Sequence, residues 1–218
     1  MLIGAAQSGS LQMVKQELSK NADPNSRDSL RWTPLMWASR SGHDRVVQTL
    51  LNCGASIDVG NEFGMTALHL AAQSNQLSTI RLLIDSEAPL DIGNNALLTP
   101  LMIASQNGHI EVVSLLHSRG ASLELKDENG NTALLFAVAN HQTAAVQRLL
   151  ELGSDVNSAN HKGTTSLMVA SRKGYADVVQ VLLNHGADKT RRNDQDQTAK
   201  SLALMNRDHD LVRLLTQT

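Results

Sequence analysis

Short apolar runs recur along the chain at a fixed spacing, separated by polar stretches rich in Asp, Asn and Gly. A pair such as Leu35-Met36 or Leu101-Met102 follows a threonine, and the threonines stand in register, 33 residues apart, at Thr33, Thr66, Thr99, Thr132, Thr165 and Thr198. Five residues after each lies Ala38, Ala71, Ala104, Ala137, Ala170 or Ala203. This pattern predicts a short helix capped by the threonine hydroxyl, with Pro34 or Pro100 tolerated at its first position because the missing N–H would have no partner there. Gly9, Gly42, Gly108 and Gly174 recur nine residues past the threonine register, where a left-handed residue ends the helix and turns the chain. A second apolar run follows, Val46-Val47 with Leu50-Leu51 or Val178-Val179 with Leu182-Leu183, at the i, i+1, i+4, i+5 spacing of a one-sided helix. Gly54, Gly120, Gly153 and Gly186 close it. The rest of each period is polar, with Asp28, Asn61, Asn94, Asp127, Asn160 or Asn193 five residues before the threonine, and suits an extended hairpin finger reaching to the next unit.

Three columns held in phase over six periods make the chain a repeat array. The predicted fold is all-α, a helical repeat solenoid with β-hairpin fingers and about seven units in one domain over 1–218. An N-terminal capping unit spans 1–27, full repeats span 28–60, 61–93, 94–126, 127–159 and 160–192, and a C-terminal capping unit spans 193–218. The first unit is polar at Gln7, Ser8, Ser10, Gln12, Lys15, Gln16 and Lys20, and the last places Lys200 where other units have leucine. Solenoids need such polar ends to shield the stack. An array bounded in this way is equally expected as a domain of a longer protein.

The residues Thr33-Pro34-Leu35-Met36-Trp37-Ala38 with Gly42-His43, Thr66-Ala67-Leu68-His69-Leu70-Ala71-Ala72, Gly153-Ser154-Asp155-Val156-Asn157 and Gly186-Ala187-Asp188 resemble the ankyrin repeat over essentially the whole chain. The resemblance implies a histidine three residues after each threonine, bonded back to it. Only His69 fills that place. Met36, Met102, Leu135 and Met168 stand there in other repeats, so those turns are expected to rely on packing. The finger glycine two residues before the threonine is present as Gly64, Gly130 and Gly163 but replaced by Arg31, Leu97 and Asp196. Altered tip geometry is expected at those three, with Gly60 and Gly93 as compensation.

Composition changes this picture little. Hydrophobic residues make up 41% and aromatics only 2%, so the core must be built from Leu, Ala, Val and Ile. A net charge of −2 gives no global field for nucleic acid or an acidic membrane. The single cysteine, Cys53, excludes an internal disulfide framework and any multi-cysteine metal site, and points to a reducing compartment or to indifference to redox state. No segment reaches the roughly 18 apolar residues of a membrane span, and the N-terminus lacks the basic start and apolar stretch of a signal peptide. The expectation is an intracellular, cytoplasmic protein with the nucleus left open. The histidines fall mostly in different columns with no i, i+4 pair, no phosphate-cradling glycine pattern appears, and the finger carboxylates face no closed pocket. No catalytic residue, cofactor or metal is expected, and no enzyme.

Candidate chemistry therefore lies on the finger and first-helix face. Its outward positions read Leu30, Trp32, Phe63, Met65 and Leu98 on the early fingers, with Arg40, Gln73 and Gln106 on the helices. Asn131, Lys162, Arg172 and Lys173 follow towards the C-terminal end. Trp37 is read either as groove-exposed, near Arg40, or as packed between neighbouring first helices. An apolar, aromatic surface on such a protein marks an interaction site. The expected partner is a protein or peptide segment with apolar anchors near Trp32, Trp37 and Phe63 and acidic groups towards Lys162, Arg172 and Lys173. It would be bound by a monomer acting as scaffold, adaptor or inhibitor. A targeting or regulatory domain of a larger enzyme or bacterial-type effector is the alternative. Nucleic-acid binding through the C-terminal cations lacks the overall charge and interleaved aromatics it would need.

Overall fold

In the computed structural model, which describes residues 1–216, fourteen helices form among the described residues. Gln217 and Thr218, which end the predicted 193–218 unit, lie outside them. The chain divides into two compact units, Met1–Pro100 with Arg119–Ala121, and Leu101–Ser118 with the described residues from Ser122 onward. In the first, helices α1 (Leu2–Gln7), α3 (Pro34–Ser41) and α5 (Ala67–Gln73) pack side by side, backed by α2 (Leu11–Ser19), α4 (Asp44–Asn52) and α6 (Leu77–Asp85). The second unit takes α7 (Pro100–Gln106) from its second residue on, and α8 (Ile110–Ser118). There α9 (Ala133–Ala139), α11 (Ser166–Lys173) and α13 (Ala199–Met205) form the inner row, with α10 (Thr143–Glu151), α12 (Ala176–Asn184) and α14 (His209–Thr216) behind.

The alanine column explains how first helices approach each other. Ala38, Ala71, Ala104, Ala137, Ala170 and Ala203 are each 0% exposed, so any larger side chain there would have to displace a neighbour. Valines and leucines of the second helices, Val46, Val47 and Leu50 or Val178, Val179 and Leu182, fill the remaining core. Four of the threonines cap as expected: Thr33, Thr66, Thr165 and Thr198 accept from the backbone N–H three residues on, at 3.3, 3.5, 3.4 and 3.2 Å. Thr132 does not, and its hydroxyl is buried without a partner.

The fingers are held by side chains more than by a ladder. Among the described residues the sole isolated bridge pairs Ala159 with Thr165. In every finger the Asp or Asn five residues before the threonine turns its Oδ1 onto two backbone N–H groups, those three residues and one residue before that threonine. Asp28 accepts from Leu30 and Trp32 at 3.0 and 2.9 Å, Asn61 from Phe63 and Met65 at 2.9 and 3.0 Å, and Asp127 from Asn129 and Asn131 at 3.0 and 2.7 Å. Such a side chain mimics a backbone turn, which is why no other residue type fills the column.

This clamp corrects the expectation of altered tips. Arg31, Leu97 and Asp196 adopt φ of 60°, 59° and 59°, the same left-handed backbone as Gly64, Gly130 and Gly163. Their N–H groups make the same turn bonds, for example Leu97 to the Asn94 carbonyl at 2.9 Å and Gly64 to the Asn61 carbonyl at 2.9 Å. The finger therefore keeps its shape, and the non-glycine residue carries strain of about 1–2 kcal/mol.

Candidate functional site

On the first unit, three consecutive fingers are tied tip to tip. The Glu62 N–H donates to the Leu30 carbonyl at 3.3 Å, and the Asn95 N–H to the Phe63 carbonyl at 3.1 Å. This brings Leu30 and Phe63, each three residues before its threonine, to the same position of adjacent fingers, 46% and 58% exposed; Ala96 stands there in the third finger, whose left-handed tip residue Leu97 is 54% exposed. Beside them, the Trp32 and Trp37 rings lie 4.4 Å apart and tilted by 33°, and the Arg40 guanidinium sits 5.4 Å from the Trp32 ring centre. Asp28 fixes this cluster: one oxygen closes its own finger and the other accepts from Trp37 Nε1 at 3.0 Å. Cation and aromatic face are attractive at this distance.

The predicted surface is thus partly outward and partly inward. Leu30, Arg40, Phe63 and Gln73 are exposed, Trp37 and Leu98 are half-buried, and Trp32 and Met65 are buried. For Met65 the Asn of the next finger supplies cover, as it does for Asn131 at the same position of its repeat. Asn94 Nδ2 donates to Met65 Sδ at 3.3 Å, and Asn160 Nδ2 to Asn131 Oδ1 at 3.1 Å. Trp32 occupies the same position but offers only a donor. Both Trp32 Nε1 and Asn61 Nδ2 are buried without a partner.

The second unit carries a different surface. Lys162, Arg172 and Lys173 are exposed, with Asn131 and Gln106 half-buried. Lys162 stands on a finger; Arg172 and Lys173 close the last turn of α11, where cations suit the helix end. Asn131 is committed to its own finger, donating from Nδ2 to Asp127 Oδ2 at 3.1 Å.

Two features escaped sequence reasoning. His141 stacks on Tyr175 with ring centres 3.8 Å apart and planes within 1°, while its Nε2 lies 2.9 Å from Asp177 Oδ1. The Thr143 hydroxyl donates to the other oxygen of Asp177 at 2.5 Å, and this bond first, then His141, pulls that carboxyl down to about 2. A register rule produces the contact. The residue after each left-handed helix-end residue packs on that residue of the preceding repeat, so His43 lies against Gly9 and Gln142 against Gly108, where a Cβ would meet them at 2.6 and 2.3 Å. The second feature is the reach of His69. It is fully buried; its Nδ1 accepts from the Thr66 N–H at 3.1 Å and Nε2 lies 2.9 Å from the Leu98 carbonyl of the next finger. With Nδ1 accepting, the proton sits on Nε2 and is donated to that carbonyl. Burial lowers its pKa to about 4, against the weaker opposing pull of the Leu98 carbonyl. Met36 supplies a faint copy of this brace, its Sδ accepting from the Thr33 N–H at 3.4 Å, so that turn does not rest on packing alone.

Among the described residues no group of three or more His, Cys, Asp or Glu could hold a metal ion, and no helix is long and apolar enough to cross a membrane. In comparison with known proteins, the sequence model described as ankyrin repeats (3 copies) matches residues 2–96, 88–160 and 137–218. The human ASB11 ankyrin repeat domain superposes with a TM-score of 0.89 at 26% identity, covering 100% of this chain and 98% of that one. The ankyrin repeat domain of Bcl-3, described as a unique member of the IkappaB protein family, superposes with a TM-score of 0.85 at 32% identity, covering 97% of each chain. Among curated proteins the sequence comparison finds no match.

Proposed function

The chain belongs to the ankyrin repeat family, whose arrays are protein-interaction modules, and from that premise we propose that it binds a segment of a partner protein on the finger and first-helix face of its first unit. The observation that carries this reading is the pair Leu30 and Phe63, exposed at the same position of two tied fingers, with the tip residue Leu97 exposed on the third. Water-exposed apolar side chains of this size, aligned by backbone bonds, are what a partner's apolar anchors would cover. Beside them the half-buried ring of Trp37 and the exposed Arg40 offer an aromatic and cationic edge, held in place by the buried Trp32. The role is that of a non-enzymatic, intracellular scaffold, adaptor or inhibitor acting as a monomer.

The test is affinity capture from a native lysate with wild type and with a Leu30→Ser, Phe63→Ser double variant, both positions being exposed enough to leave the fold intact. One captured protein lost only with the variant supports the face. A capture list that does not change removes the first-unit face from the proposal.

A further inference from the structure

Two hollows adjoin on the second unit. One, of about 420 Å³, lies between Lys162, Arg172 and the finger at 193–197. The other, of about 320 Å³, lies between Lys162, Arg172 and Lys173 on one side and Leu135, Phe136 and Val169 on the other. Lys162, Thr164 and Arg172 line both, so they form the ridge between them. Arg148, Arg191, Arg192 and Arg213 of the same unit each hold a carboxylate within 4 Å, as surface cations commonly do. Among the described residues Lys162, Arg172 and Lys173 hold none, although Asp194 borders the first hollow. Glu128 lines a further hollow with Lys162, so three cations stand against two acids and the ridge is net positive, beside a floor of Leu135, Phe136 and Val169.

We propose that this ridge takes an acidic side chain of a partner segment while the next apolar side chain of that segment enters the hollow over Leu135, Phe136 and Val169. The inference rests on the reading of the chain as a segment-binding module and adds a second contact with its own chemistry. Charge complementarity selects the occupant: a carboxylate between Lys162 and Arg172 gains two charge-assisted hydrogen bonds, with the Thr164 hydroxyl beside them. The apolar floor excludes a purely ionic ligand as the best fit. A nucleic-acid strand would want several exposed rings to stack its bases, whereas the hollow is lined by the single half-buried ring of Phe136 and Tyr175 is already stacked on His141.

The probe is a fluorescein-labelled short peptide in which glutamate alternates with leucine or phenylalanine, read by fluorescence anisotropy. Three probes run beside it: the same peptide with lysine for glutamate, one with serine for the apolar residues, and a labelled thymidine oligonucleotide. Wild type is expected to prefer the acidic–apolar peptide over all three. Lys162→Glu with Arg172→Glu is expected to weaken it at least about tenfold and to gain affinity for the lysine peptide, a swap that general unfolding would not produce. In the Leu30→Ser, Phe63→Ser variant the preference for the glutamate over the lysine peptide is expected to persist whatever affinity the first-unit face contributes, so loss of that preference belongs to the ridge and loss of affinity alone to the first-unit face. The inference is overturned if wild type does not bind the peptide, if charge reversal leaves binding unchanged, or if the oligonucleotide or the serine peptide binds as tightly.

Discussion

Replacing His69 by methionine, the residue that three sister repeats carry at this position, should flatten the acid sensitivity of folding. His69 is folded neutral with a pKa of about 4, against 6.5 when free. Because the folded value is the lower one, the unfolded chain binds more protons between the two. The stabilisation is then complete above about 6.5 and is lost as pH falls towards 4. At about 1.4 kcal/mol for each pH unit between those values, the loss approaches about 3 kcal/mol. The low-pH change at Asp177 belongs to a separate window, between its free value of 3.8 and about 2, and also removes stability as pH falls. Urea unfolding of wild type and His69→Met at intervals from pH 7.5 to 4.5 isolates the histidine. At pH 7.5 the variant should be weaker by about 1–3 kcal/mol, since the Leu98 carbonyl loses its donor and the Thr66 N–H keeps only a sulfur. The gap should close or reverse towards pH 4.5. Parallel curves over the whole range would refute the assignment of His69 as a buried neutral brace between adjacent fingers.

Two further changes test the finger geometry. Leu97→Gly should raise the unfolding free energy by about 0.5–1 kcal/mol, because relief of left-handed strain outweighs the added freedom of the unfolded chain; a lower melting midpoint would show that Leu97 is not strained. Asn61→Asp keeps the acceptor for the Phe63 and Met65 N–H groups and removes an orphan donor, so thermal unfolding should show a gain of about 1 kcal/mol at neutral pH. No gain would mean that the unpaired Asn61 donor costs the fold little.

Fold was legible because each column of the repeat has a local physical cause. Threonine, alanine and the left-handed positions announce cap, close packing and turn without any knowledge of tertiary contacts. The Asp and Asn column was visible too, but its work as a two-pronged acceptor emerged only with the finger folded around it. That clamp is why Arg31, Leu97 and Asp196 were misjudged: two side-chain bonds and one turn bond outweigh the strain of a non-glycine residue. Surface was less legible. Trp32 and Met65 look like outward finger residues in alternation with Leu30 and Phe63, yet both are buried, Met65 under the amide of the following finger. The His141–Tyr175 stack was hidden for a similar reason, since it depends on which residue of one repeat lands on the turn of the last.

The position just before each threonine ties these observations to binding. In the second unit it holds Asn131, Thr164 and Gln197, and Asn131 serves as acceptor for the next finger. In the first unit it holds Trp32, Met65 and Leu98; the sulfur of Met65 still accepts, whereas the indole of Trp32 cannot. Two buried donors are left unpaired as a result, an arrangement that usually costs about 1–3 kcal/mol for each group. A scaffold this regular had an ordinary solution available in its own other repeats. Local rules broken without a compensating gain in the fold tend to mark functional positions. The gain here is the cluster of Trp32, Trp37 and Arg40 beside the exposed Leu30 and Phe63. Two fingers with an unpaired buried donor therefore stand at the face proposed to meet the partner.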